Sequence, residues 1–437
     1  MSALECSVAT VTVEGTATAG TGLAGTGLAG TGDQRPALGV GMVGYAFMGA
    51  AHSHAWRTAA HVFDLPLRPS MVALCGRDAD AARAAARRLG WAAAETDWRA
   101  LISRDDVQLV DICAPGDLHA QIAIAALDAG KHVLCEKPLA STEAEADAMA
   151  VAAARASARG VRSMTGFNYR RVPALALARR LVRDGRIGRL RHVRASYLQD
   201  WLVDPAFPLT WRLQREQAGS GALGDLGSHI VDLAQYLTGD LITGVSAVAA
   251  TFVGERPLPG ARAPAGTAPG AGAQAGAPRT GPVTVDDAVL FTARLGSQAH
   301  GGGALASFEA TRFASGRKNE LRIELNGDRG SLAFNLERLN ELQFYDHTQD
   351  AASAGFQTIL VTEPGHPYLS GWWPPGHVLG WDATFTHEIA DLVTDIAKGA
   401  DPTPSFADGL QVQRVLAAVE RSAARDSRWT PVPPPAT

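Results

Sequence analysis

The sequence predicts an α/β protein in two parts, a parallel sheet covered on both faces followed by an open, mainly antiparallel sheet. Three observations predict it. From Leu38 to about Gly160, short apolar runs alternate with Ala-rich helical stretches, the texture of strands joined by crossover helices. Beyond Gly160, strand-like runs follow one another with little helix between them. At 437 residues the chain is also too long for one ordinary core.

In the first part the expected strands are Leu38–Val43, Met71–Cys75, Leu109–Cys113 and His132–Cys135. The helices "DADAARAAARRLG" and "LHAQIAIAALDAG" each close on a glycine at the C-terminal cap. Thr142 and Glu145 form a capping box ahead of a helix that ends at Gly160. In the second part strands are read in "RHVRASYLQDW", "GVSAVAATFV", "DDAVLFTARL", "GALASFEATRF", "ELRIEL", "GSLAFNL" and "ELQFYD", with Asn326-Gly327 marking a tight connection. Two or three helices from about Asp382 to Asp426 close the chain. The domains are thus 35–160 and 161–430. Residues 1–34, with "TGLAG" repeated from Thr21 and no aromatic residue, bury too little to offset their ordering entropy and are expected to be disordered. A low-complexity stretch at 254–283 reads as a surface loop inserted between strands.

Composition excludes several function classes. The chain is 46% apolar and 19% charged with a formal charge of -4, which argues against a general affinity for nucleic acid or anionic membrane. No apolar run is long enough to span a bilayer, and the N-terminus lacks the basic start and apolar core of a secretory signal. Cys75, Cys113 and Cys135 sit in apolar strands, as inert core thiols of a reducing compartment do, so the expected location is cytoplasmic.

The stretch "LGVGMVGYAFMGAAHSHAW" can be read as a glycine fingerprint in two frames. Gly39, Gly41 and Gly44 match G-x-G-x-x-G literally, but "DQRPAL" before them is no buried strand. Gly44, Ala46 and Gly49 match with one error, after a good strand and before a good helix start, which is the context a dinucleotide loop requires. That loop, with Phe47 and Met48 inside it, is the expected cofactor site. The second strand ends "CGRD": Gly76 stands where an acid would grip the ribose of NAD, and Arg77 beside it suits a 2′-phosphate. Locally this leans to NADP over NAD; the alternative is that Arg77 faces solvent.

"CEKPLA" places Lys137 at the carboxyl end of a predicted strand, where open α/β sheets bind their ligands. The chain has four lysines, so an ammonium here is kept against a strong bias to arginine. In "GSGALGDLGSHIVDLAQYLTG", Leu226, Ile230, Leu233 and Leu237 form an apolar helical stripe, and Asp225, His229, Asp232 and Tyr236 repeat its spacing. Asp225 and His229 lie one turn apart, so the carboxylate can orient an imidazole acting as general base. A first-turn acid with a half-exposed histidine is the plain alternative. Two ligands without a third make a metal site weak, and none is expected.

These motifs ("GYAFMG", "APGDLH", "CEKP", "GFNYRR" and "GALGDLGSHIVD", in that order) resemble the Gfo/Idh/MocA family of oxidoreductases from Leu38 to about Trp429. The resemblance implies an N-terminal Rossmann domain, a C-terminal α/β domain whose open sheet forms dimers or tetramers, and oxidation of one hydroxyl of a sugar, cyclitol or anhydrosugar by NAD or NADP. "YLQDW", "WRLQREQAGSGALGDLGSHIVDLAQYL" and "PSFADG" are most similar to the branch that oxidises anhydrosugars, which favours NAD. Carried over, Lys137, Asp225 and His229 are catalytic, Asn168 and Tyr169 face nicotinamide and substrate, and Ala114, Pro115, His119 and Glu136 line the cofactor. Trp201, Trp211 and Arg212 are candidates for holding the sugar ring. Ala46 and Gly116 depart from the family pattern and affect the fine geometry of the cofactor. The partner is then a small carbohydrate, with no nucleic acid or membrane. Two other readings stay open: an NAD-dependent glycosidase using the same hydride step, and a non-catalytic dinucleotide sensor.

Overall fold

Continuous apolar runs become strands buried on both faces. In this computed structural model, which describes residues 34–259, 279–296 and 303–434, six parallel strands form the first sheet. They are β1 (Ala37–Val43), β2 (Arg68–Cys75), β3 (Ala93–Glu95), β4 (Leu109–Ile112), β5 (His132–Glu136) and β6 (Ser163–Gly166), in the order β3-β2-β1-β4-β5-β6. Val40, Met42, Leu74, Leu109 and Leu134 point into one apolar layer, and Val43, Val110, Ile112, Val133 and Cys135 into the other. The intervening helices are α1 (Phe47–Val62), α2 (Ala79–Leu89), α3 (Trp98–Ile102), α4 (His119–Asp128) and α5 (Glu143–Ser157). Asp78 caps α2, Gly90 ends it in the left-handed region, and Thr142 and Glu145 make the reciprocal capping box expected of them. The strand order reverses between β1 and β4, and a crevice opens above that point.

The second sheet has nine strands, in the order β16-β15-β14-β13-β7-β12-β11-β8-β17. They are β7 (Leu190–Leu198), β8 (Leu241–Ala250), β11 (Ala288–Gly296), β12 (Ala304–Thr311), β13 (Glu320–Gly327), β14 (Gly330–Asn335), β15 (Glu341–Asp346), β16 (Gln357–Leu360) and β17 (Thr430–Pro431). Every pairing is antiparallel except that of β7 with β12. Its inner face packs on α6 (Pro173–Arg183), α8 (Ser228–Thr238) and part of α10 (Phe406–Ala423) in one core. The outer face leaves Val248, Leu290 and Leu305 about half exposed. A short α7 (Arg215–Ala218) precedes α8, and α9 (Ala383–Lys398) returns to the first sheet, where Phe385, Ile389, Leu392 and Val393 join the layer containing Val40 and Trp56.

Four points of the fold bear on the sequence reading. β3 and β6 complete the parallel sheet although their runs are short and half polar, and β6 lies beyond Gly160. Most of the leader and the middle of the low-complexity stretch lie outside the described residues; the ends of that stretch pair as a ribbon, β9 (Glu255–Pro257) with β10 (Thr280–Pro282). The second sheet is mixed through its central β7–β12 pair. Finally, Asn326-Gly327 is the end of β13, and the reversal falls on Asp328-Arg329. Gly327 serves close packing there: a Cβ would stand 1.9 Å from the Ile187 carbonyl oxygen.

That contact sets the first test. Gly327→Ala should cost about 1–3 kcal/mol through backbone displacement, read as a lowered thermal midpoint. Gly327→Asn, harmless at a left-handed turn position, should cost at least as much.

Candidate active site

The nucleotide end is built by the second glycine frame. Gly39 and Gly41 lie within β1; Gly44 follows it with φ +104° and donates its N–H to the Cys75 carbonyl at 3.0 Å. A Cβ on Gly44 would meet the Cys113 carbonyl oxygen at 2.5 Å, and one on Gly49 the Gly44 carbonyl oxygen at 2.2 Å, so strand, turn and helix touch through bare backbone. Ala46 is the N-cap of α1, with no side-chain cap and no acid in the first turn. The first N–H used inside the helix is that of Ala50, which leaves those of Phe47, Met48 and Gly49 free for an anion. This cradle fits the pyrophosphate of a dinucleotide. Phe47 projects from it and stacks on Trp381 at 5.5 Å, while Met48 packs against the core.

Around the cradle the expected residues divide. Ala114 and Pro115 are half-buried after β4, at the crevice. Arg77 is exposed and makes no ion pair among the described residues. Gly76 lies under the ring of Tyr45, whose Cε1 would be 1.9 Å from any Cβ there. His119 is buried between the carbonyls of Pro138 (3.1 Å) and Ala114 (2.9 Å), tying the two strand ends together. Glu136 is turned inward, accepting from the Lys137 N–H at 3.1 Å and facing His52 at 3.0 Å.

Lys137 leaves the end of β5 and donates from Nζ to the Asp225 carbonyl at 2.9 Å and to its Oδ1 at 3.2 Å. Asp225 sits in a π-helical segment, Leu223–Gly227, just ahead of α8. The Asp286 carboxylate fixes the start of that segment by accepting from the N–H groups of Gly221 and Leu223, both at 2.7 Å. Burial would raise the Asp225 carboxyl, but Lys137, Arg312 and Arg212 together hold it down at about 2. His229, in the first turn of α8, is buried and makes no hydrogen bond among the described residues, its Nδ1 included. Burial and then the Lys137 ammonium hold its proton affinity well below the usual imidazole range, against the opposing pull of Asp225. The three groups therefore share one space, with the imidazole neutral.

The arrangement corrects one expectation. Asp225 does not hydrogen-bond His229; its carboxylate goes to Lys137, because the wider winding of the π segment departs from the one-turn stacking of a regular helix. Aromatic rings orient His229 instead: Tyr169 at 4.4 Å, Tyr197 at 5.8 Å and Phe167 at 6.1 Å.

Asn168 is buried and donates to the Thr384 hydroxyl at 2.8 Å, so it anchors α9 and is not open to the crevice. The Tyr169 hydroxyl meets that of Tyr197 at 2.9 Å and accepts from Trp381 Nε1 at 3.3 Å. The chain of bonds continues from Tyr197 to Asn319, from Gln199 to the same oxygen, and from Trp201 to Gln199, all at 2.7–2.9 Å. Arg212 lies over the Trp211 ring, and Arg312 over that of Trp201. Sequence reasoning missed Tyr197, Gln199, Asn319, Arg312 and Trp381. The alternation Tyr197, Gln199, Trp201 along "YLQDW" was a usable signal, since alternate strand residues share a face.

Residues 38–164 match the family model described as "Oxidoreductase family, NAD-binding Rossmann fold", and residues 175–333 match "GFO/IDH/MocA C-terminal domain". A levoglucosan dehydrogenase of Pseudarthrobacter phenanthrenivorans is 44% identical over 399 residues, 91% of this chain and 98% of its own length. Among solved structures, an oxidoreductase domain protein from Kribbella flavida aligns with a TM-score of 0.84 at 62% identity, covering 91% of this chain and 100% of its own. A levoglucosan dehydrogenase in complex with NADH and L-sorbose aligns at 0.83 and 42% identity, covering 91% and 99%.

The charge balance at Asp225 is directly testable. Lys137→Met removes the nearest cation, so the Asp225 carboxyl should rise from about 2 into or above the ordinary carboxylate range. A carboxyl-carbon NMR titration, assigned with Asp225→Asn, reads the change.

Proposed function

The chain belongs to the Gfo/Idh/MocA family of oxidoreductases, and from that premise we propose that Lys137, Asp225 and His229 carry the reaction of an NAD(P)-dependent sugar dehydrogenase. The hydroxyl oxidised belongs to a sugar, cyclitol or anhydrosugar, and the relatives make levoglucosan the first substrate to try. The observation that carries the assignment of roles is the Lys137–Asp225 pair beside a buried, neutral imidazole, at the carboxyl end of the parallel sheet that also carries the Gly44–Gly49 loop.

The nicotinamide of a dinucleotide held at that loop supplies the hydride acceptor. The rest of the chemistry belongs to the chain. His229, neutral and with no hydrogen-bond partner among the described residues, takes the proton of the substrate hydroxyl. Lys137 donates a hydrogen bond to the same oxygen and stabilises the alkoxide that forms as the proton leaves. Asp225 holds the ammonium in place, a positioning task more than a proton-transfer one. Tyr169 and Tyr197 fix the plane of the imidazole, and Trp201, Trp211 and Arg212 offer apolar faces and donors to the ring. The Gly76–Arg77 pair leans to NADP and the relatives to NAD. The half-exposed apolar residues Val248, Leu290 and Leu305 on the open sheet support a homodimer or homotetramer through that face. No described helix is long and apolar enough to cross a membrane, and the buried thiols of Cys75 and Cys135 suit the cytoplasm.

The experiment is a panel of polyols, sugars and anhydrosugars, run with NAD and NADP separately and followed at 340 nm. Absorbance should rise with a subset that includes levoglucosan; a flat response throughout sinks the dehydrogenase reading. Release of a free sugar without net reduction would point to elimination chemistry. His229→Ala should lower kcat by about 10²–10⁴-fold with NADH affinity changed less than about twofold, measured by steady-state kinetics and fluorescence titration. Because the imidazole is the competent base when neutral and is held below its usual range, oxidation should stay level from pH 8 to the ordinary histidine range and fall only in more acid solution.

A further inference from the structure

We propose that His52 is a positioning residue for Lys137: as an imidazolium it clamps Glu136 and so ties the helix that opens at the nucleotide loop to the strand end that presents the ammonium. The inference rests on the sugar dehydrogenase reading only for its kinetic arm.

His52 lies in the second turn of α1 and is 1% exposed. Its Nδ1 is 3.0 Å from both carboxylate oxygens of Asp111, and its Nε2 is 3.0 Å from Glu136 Oε1. A neutral imidazole has one N–H and one lone pair, so one of these contacts would set a lone pair against a carboxylate oxygen. Between two ionised carboxylates, both gaps are filled only when both nitrogens carry a proton. Glu136 then spans the distance to the active site, since its Oε2 accepts the N–H of Lys137 at 3.1 Å. From His52 to Lys137 there is one carboxylate.

The surroundings support this charge state. Trp56 Nε1 donates to Asp111 at 2.7 Å, and the Cys113 thiol approaches the same carboxylate at 3.6 Å. Phe385 of α9 closes the remaining side, its ring 5.3 Å from that of His52. Glu388, also on α9, is pushed up to about 8 by burial, against Arg171 and His52, and neither of its oxygens has a hydrogen-bond partner among the described residues. Arg171 reaches Asp391 at 3.1 Å. Burial opposes charge on His52 too, but the Asp111 carboxylate pulls the other way, and its proton affinity lies well above the usual range. The Cys135 thiol, raised by burial and by its acidic neighbours, stays neutral. One imidazolium thus stands between two buried carboxylates.

The test compares His52→Asn with Trp56→Phe, which removes the indole donor to Asp111 without touching Glu136. In wild-type protein at pH 8, a two-bond ¹H–¹⁵N correlation should show both His52 nitrogens protonated; a neutral tautomer overturns the clamp. The chain has four lysines, so reductive ¹³C-methylation yields few signals, and Lys137→Arg assigns the one that matters. His52→Asn should shift the Lys137 signal and leave those of Lys131, Lys318 and Lys398 in place, whereas Trp56→Phe should move none. With a substrate from the panel and each variant held well below its melting point, His52→Asn should lower kcat at least about tenfold with the sugar KM within about twofold. Its isotope effect with carbinol-deuterated substrate should rise, and Trp56→Phe should keep wild-type kcat. Parallel losses in both variants, tracking thermal stability, overturn the proposal, as does an unmoved Lys137 signal in His52→Asn. If His52→Asn does not fold, Glu136→Gln is read by the same shift and the same kcat-against-KM split. Absence of wild-type turnover would reject the dehydrogenase reading while the lysine and histidine spectra still decide the clamp.

Discussion

The bond between the Lys137 ammonium and Asp225 is the constraint on which the rest of the site depends. Lys137 belongs by backbone to the edge of β5, and Asp225 to the π segment that opens α8, so one ion pair fixes a strand end of the parallel sheet against a helix under the second sheet. Half out of water, such a pair adds little net stability, because desolvation offsets most of the attraction. Its worth lies in placement and in sign. In the proposed reaction the ammonium is held where a substrate oxygen would develop charge, and the same charge helps to keep His229 neutral. Position and protonation follow from one contact.

Asp225 lies in a cluster of charges. Lys137, Arg312 and Arg212 all bear on it, while Asp286 and Asp287 bear in turn on Arg312, which is buried with its guanidinium over the Trp201 ring and one nitrogen on the Asp286 carbonyl. The Asp286 carboxylate also accepts from the backbone at the start of the π segment. In this partly desolvated cluster Lys137 is the cation that acts on the imidazole, and with burial it disfavours a protonated His229. The acid–base assignment thus comes from the field of the pocket and not from a carboxylate bonded to the histidine.

Residues whose role depends on local pattern were legible in the sequence. The longer strands, the caps at Gly90 and Thr142, and the choice of Gly44 over Gly39 as first glycine all follow from neighbours in the chain. The trio Lys137, Asp225 and His229 was legible as a set of groups, because a strand end and a helix face are one-dimensional features. How they pair was not. A π turn has no signature in "GALGDLGSHIVD", and it hands Asp225 to a lysine 88 positions away. Tyr197, Asn319 and Trp381 were hidden for the same reason: each reaches the site from a different element, and only the β7–β13 pairing and the return of the chain at α9 bring them together. Gly327 is the reverse case, a glycine that imitates a turn and is required by the Ile187 carbonyl.

The Gly76–Arg77 pair shows how such hidden contacts change the meaning of a residue. A glycine in place of the ribose-binding acid reads as a preference for a phosphorylated cofactor when only the chain is in view. In the fold, Tyr45 follows the turn glycine of the nucleotide loop, and its ring lies where any side chain at position 76 would start. Any side chain at position 76 would displace that ring, so the missing acid has a packing reason apart from any preference for the phosphate. What remains of the lean is Arg77, exposed and without an ion pair among the described residues. A point charge at the rim attracts either dinucleotide through its pyrophosphate, so on physical grounds discrimination between the two cofactors must come from the groups that meet the ribose, and Gly76 presents none.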